Sequence, residues 1–77
     1  MQTQTKWIAE VEEQIKQLND AWQRYPQAEA AGDWDLANQL NNAYRAANHR
    51  LWELGVRVMD LLYDPITRTH SLSGYML

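Results

Sequence analysis

His49 and Glu53 stand four residues apart in a stretch of helical character, so both side chains turn to one face and offer two ligands to a metal ion. A site needs a third ligand, and the flanking side chains are Arg45 and Arg50, whose charge opposes a cation. A solvated polar face accounts for the pair without metal. His70 with Ser71 and Ser73 sets an imidazole beside hydroxyls, the raw material of nucleophilic catalysis. The surrounding DPITRTHSLSGYML segment offers no rigid shell to hold an attacking group in place. Glu12 and Glu13 are adjacent and point apart on a helix. Gly32, Gly55 and Gly74 stand singly, so no glycine-rich phosphate loop is present, and the absence of cysteine removes thiolate zinc sites and disulfides. These residues point away from an enzyme, and no cofactor or metal is expected.

Nucleic acid is the next candidate partner. Arg45, His49, Arg50 and Arg57 share one stretch with Asn38, Asn41, Asn42 and Asn48, which are capable of reading bases. On a helical wheel with Leu36 at 0°, however, Arg45 points to about 180° while Arg50 and Arg57 lie at about 300–320°, so no basic stripe forms. Seven basic residues against ten acidic give a net charge of −3, which also argues against a phosphate backbone.

The elements that position these residues are helical. Seventy-seven residues make one small domain with little surface to bury. No apolar run approaches the roughly 20 residues of a spanning helix, and MQTQTKWIAE has no apolar signal core, so no membrane is expected and the reading is cytoplasmic. Thr3 or Thr5 is the expected N-cap of the first helix. Ile8, Val11, Ile15, Leu18, Trp22 and Tyr25 then follow spacings of 3, 4, 3, 4 and 3, a narrow seam of coiled-coil type, with Trp7 at its edge. Glu12 with Lys16 and Asp20 with Arg24 decorate the outer faces. Pro26 disfavours helix at Tyr25, so a bend is expected inside a first helix over about residues 4–31. Gly32 suits a helix C′ position and Asp33 the next N-cap, which together make a sharp reversal.

The second helix is expected over about 33–63, ended by Asp64-Pro65. Leu36, Leu40, Ala43, Ala47, Leu51, Leu54, Val58 and Leu61 lie within about 80° of arc and should face the first helix. Trp22 should meet Ala43, and Leu18 should meet Ala46 or Ala47. Residues 1–63 are thus read as an antiparallel helical hairpin. Residues 64–77 are read as a tail, extended or partly disordered, with Ile66, Leu72, Tyr75, Met76 and Leu77 available to bury.

LWELGVRVMDLLY, residues 51–63, is apolar around most of its circumference, more than one neighbouring helix can cover. The all-α fold is therefore expected to dimerise into a four-helix bundle. A second face, Trp34, Arg45, Trp52, Val56, Met59 and Tyr63, lies between about 140° and 200° on the same wheel. Trp, Tyr and Arg dominate interface hot spots, and methionine adapts to irregular partner surfaces. Four Trp and four Tyr without Phe fit surfaces that are apolar on one side and wet on the other. The pattern points to a small protein-binding module, an adaptor or antagonist covering the surface of a larger regulator. The competing readings are an architectural homo-oligomer and a nucleic-acid-binding helical dimer.

Overall fold

The computed structural model describes residues 2–72, with side chains from Lys6 onward. Helix α1 runs Gln2–Ala30 and helix α2 runs Trp34–Glu53. A single 3-10 turn, Val58–Asp60, leads into strands β1, Leu62–Asp64, and β2, Thr69–Ser71, which pair antiparallel. The expected N-caps Thr3 and Thr5 fall inside α1, which begins at Gln2. Pro26 is carried within the same helix, rather than separating two.

The reversal between the helices is a Schellman motif. Gly32, at φ +70°, donates its N–H to the Glu29 carbonyl, and Asp33 donates to that of Ala28, both at 3.0 Å. Asp33 then turns its carboxylate to the start of α2 and accepts from the Leu36 N–H at 3.1 Å. One residue thus satisfies an orphan carbonyl of α1 and an orphan donor of α2.

The same motif recurs at Gly55 and ends α2 well before the expected Tyr63. Gly55, at φ +86°, donates to the Trp52 carbonyl, and Val56 donates to that of Leu51 at 2.8 Å. Val56 and Leu51 are the apolar pair that accompanies such an end, and both have no exposed surface. Trp7 adds a further cap from α1, its indole N–H donating to the Leu54 carbonyl at 2.8 Å. The chain after Gly55 folds back over α1 and covers much of the apolar surface that a continuous helix would have left bare. Val56 and Leu61 are buried, and Leu54 and Val58 are half-buried. Burying a side chain of this kind is worth about 1.5–3 kcal/mol.

Two core clusters line the helical hairpin. Val11, Ile15, Leu18, Ala47 and Leu51 join Val56 and Leu61 in one; Ala21, Ala28, Ala37 and Leu40 form the other near the reversal. Ile8, Trp22 and Leu36 of the expected core are half-buried. Ala43 is exposed and is corrected to the surface. The buried arc of α2 is centred on Leu40, Ala47 and Leu51 and takes in Ala37, which rotates Ala43 out. Trp22 meets Tyr44 instead, with ring centroids 5.3 Å apart.

Residues 62–71, expected in part as helix and in part as tail, form the β-hairpin. The Asp64 carboxylate accepts from the Ile66 N–H at 2.9 Å, and Pro65 supplies the fixed φ of the following turn position. Ile66 itself is 91% exposed. Leu72 packs half-buried against the first cluster. Ser73, Gly74, Tyr75, Met76 and Leu77 lie outside the described residues.

α1 therefore has two covered flanks. With Ile15 at 0° on its wheel, Val11, Leu18, Ala21, Tyr25 and Ala28 fall between about 220° and 320°, toward α2. Ile15, Asn19, Trp22 and Gln23 fall between about 340° and 80°, toward the hairpin. The hairpin is tied to this second flank mainly by polar contacts. The Asn19 amide donates to the His70 carbonyl at 3.0 Å and accepts from the His70 N–H at 2.7 Å, as a neighbouring strand would. The Trp22 indole donates to the Tyr63 hydroxyl at 2.9 Å, and Gln23 donates to the Thr67 carbonyl at 2.8 Å. Arg68 sits at φ +57°, a backbone region that costs a non-glycine residue energy. Its guanidinium lies 4.3 Å from the Trp22 ring centroid and donates to the Trp22 carbonyl, which holds that conformation in place.

Candidate protein-binding surface

Trp52 lies in the last turn of α2, immediately before the chain turns at Gly55. Its side chain is 67% exposed, and Met59, on the 3-10 turn, is 82% exposed. Between them lies an open hollow of about 420 Å³, lined by Asn48, Trp52, Val56, Arg57, Val58 and Met59. Val56 reaches this hollow only as a lining residue, because its surface is otherwise taken up by the core. It is therefore corrected from an expected contact residue to a core residue: as the C″ residue of the Schellman motif it must pack on Leu51.

Trp52 is steadied from within α2. The His49 imidazole stacks against its ring with centroids 6.3 Å apart and 21° between planes. His49 Nε2 is 3.8 Å from Glu53 Oε2, and Arg50 Nη1 is 3.6 Å from Glu53 Oε1. Arg50 also donates through Nε to Glu10 on α1 at 2.8 Å. The Glu10 hydrogen bond is the main cause that raises the Arg50 pKa further above its ordinary value, so the guanidinium is a fixed positive charge. His49 and Glu53, considered from spacing alone as metal ligands, thus lie beside each other next to the Arg50–Glu53 ion pair. Among the described residues no group of three or more potential ligands gathers.

The six residues of the expected contact face are distributed unevenly. Trp34, Arg45 and Trp52 share one stripe of α2, since separations of 11 and 18 residues return to nearly the same wheel angle. All three are exposed, and Trp34 is 60% so. Trp34 stands about 27 Å along the helix axis from Trp52, and Arg45 about 10 Å. Val56, Met59 and Tyr63 lie past the end of α2, where the wheel no longer applies. Met59 nevertheless joins Trp52 at the hollow. Tyr63 goes elsewhere, half-covered on α1 with its hydroxyl held by Trp22 and its ring 4.8 Å from that of His70. Asn48, Arg57 and Val58 are the contributors that the wheel did not assign to this face. Asn48 lies four residues before Trp52, a spacing that a helix makes adjacent.

His70, in contrast, is held as part of the fold. Burial against α1 lowers the His70 pKa, and its ring lies between Tyr63 and Asn19, with Nδ1 3.1 Å from Asn19 Oδ1. Ser71 is exposed, and Ser73 lies outside the described residues. Among the described residues no helix is long and apolar enough to cross a membrane. Comparison with known proteins finds no matching family, no matching curated protein and no matching solved structure.

Proposed function

We propose that the chain is a small protein-binding module, without catalytic activity, that acts as an adaptor or antagonist by covering the surface of a larger regulatory protein. The reading rests chiefly on one observation: Trp52 and Met59 stand in water beside an open hollow, although neighbouring apolar residues of the same segment are buried. An exposed aromatic beside an adaptable methionine is the side-chain chemistry of an interface anchor. Arg45, exposed two turns earlier on the same stripe, extends the contact along α2. Trp34 marks its far end.

Affinity capture from the source lysate, with mass-spectrometric identification, finds the partner; titration calorimetry with the purified partner then tests the surface. Trp52→Ala combined with Arg45→Glu should leave helicity and melting temperature nearly unchanged. Loss of a central anchor should cost at least about 2 kcal/mol of binding. Undiminished affinity would refute the assignment of the surface. An architectural homo-oligomer would place a second copy on the same residues. In that case sedimentation equilibrium would show a dimer that the double substitution dissociates, whereas the module reading expects the double substitution to leave self-association unchanged.

A further inference from the structure

Away from that surface, Ala21, Trp22 and Tyr25 of α1 meet Leu40, Asn41 and Tyr44 of α2 around a separate hollow of about 110 Å³. We propose that this hollow binds the trimethylammonium head of a small quaternary ammonium compound of the choline class. Three of its walls are Trp22, Tyr25 and Tyr44, each half-buried, and no charged side chain lines it. The volume exceeds by several-fold what a single water needs, so a head group of a few heavy atoms fits.

The lining selects among ligands by chemistry. A primary ammonium or a guanidinium entering here would give up hydrogen bonds to water, and the lining has no carboxylate to replace them. A trimethylammonium carries no N–H and loses none. A neutral hydrocarbon would fill the space but would forgo the attraction between a cation and electron-rich ring faces. The Trp22 ring already receives one cation in this way, the guanidinium of Arg68 at 4.3 Å. Arg68 does not line the hollow, and with Trp22 already engaged by it the cation attraction for a ligand rests mainly on Tyr25 and Tyr44. The net charge of −3 favours approach of a cation over an anion.

The test is an NMR titration of the full chain with choline chloride, against sodium chloride at equal ionic strength, followed by choline's neutral carbon isostere. Choline should produce saturable shifts centred on Trp22, Tyr25 and Tyr44. It should bind roughly 2- to 30-fold more tightly than the isostere, the range expected from cation–π attraction. Tyr25→Leu removes one wall and should weaken choline binding. Asn41→Asp adds a carboxylate at an exposed position and should tighten choline binding while leaving the isostere unchanged; this second variant decides the matter if Tyr25→Leu fails to fold. Equal binding of choline and the isostere, shifts scattered over the surface, absence of saturation, or indifference of choline binding to Asn41→Asp would each overturn the proposal.

Discussion

Asn19→Ala tests whether the β-hairpin is held by α1 or merely lies on it. The Asn19 amide makes two hydrogen bonds to the His70 backbone, at 2.7 and 3.0 Å, both in a half-buried setting. Each such bond contributes about 0.5–1.5 kcal/mol net, so the pair should stabilise docking of residues 62–71 by about 1–3 kcal/mol. Little apolar surface backs it up, because β1 is exposed along its length and Thr69 and His70 of β2 are only half-buried. The hairpin should therefore open without unfolding the helices, as a separate low-stability unit. In native-state hydrogen exchange, amides of the β1–β2 ladder should exchange roughly 5- to 150-fold faster in the variant, since about 1.4 kcal/mol is a factor of ten. Amides around Ala47 and Leu51 should keep their protection. Asn19→Asp keeps the acceptor for the His70 N–H but loses the donor, and should show about half the effect in free energy. Equal acceleration along α1 and α2 would refute the separation of hairpin from helices. No acceleration at all would refute the energetic role of the amide.

Burial lowers the folded-state pKa of His70 below its ordinary value of 6.5. The unfolded chain thus binds the proton more readily, and stability should be full above about pH 6.5 and fall as pH drops through the folded value, a slope that His70→Gln should flatten in urea titrations at several pH values. Gly55→Ala meets no steric obstacle but must hold φ +86°, so it should lose about 1–2 kcal/mol by chemical denaturation, and Gly55→Asn should lose less. Leu51→Ala, at a position with no exposed surface, should cost about 2–5 kcal/mol by the same measurement, whereas Trp34→Ala should leave stability within about 0.5 kcal/mol.

The first reversal was legible because every local signal agrees. QAEAA favours helix, Gly32 supplies the positive φ, and Asp33 followed by Trp34-Asp35-Leu36 opens the next helix in a polar context. Gly55 carries the same backbone signal, with Val56 placed to pack on Leu51, yet it sits inside an apolar run. Periodicity reads such a run as continuous helix, since one glycine costs a helix only about 1 kcal/mol. The two outcomes differ in what they do with the valines and leucines after it. A continuous helix would spread them around a cylinder and require a second molecule. The turn at Gly55 delivers Val56 and Leu61 to α1 within one chain. Part of the surplus that motivated a four-helix bundle is thereby covered, and Trp52, Met59, Leu62 and Tyr63 stand out as what is left over.

The β-hairpin was hidden for a different reason. Its strands are three residues each, too short for alternation to emerge, and Asp64-Pro65 serves equally as a helix stop and as the first two positions of a turn. A helical wheel also sorts residues into apolar and covered or polar and exposed. Asn19 and Trp22, half-buried, and the exposed Gln23 belong to a third kind, a flank that meets its neighbour largely through polar groups. Asn19 answers the backbone of His70, fifty-one residues later in the chain, and Trp22 offers its N–H to a tyrosine forty-one residues away. No pattern within α1 announces either partner. What α1 does announce is an unused capacity: two side-chain amides and an indole N–H gathered on one flank of a helix otherwise assigned to core and solvent. Buried indoles take hydrogen-bond partners as a rule, so Trp22 at the edge of an apolar seam implied that something polar would cover it.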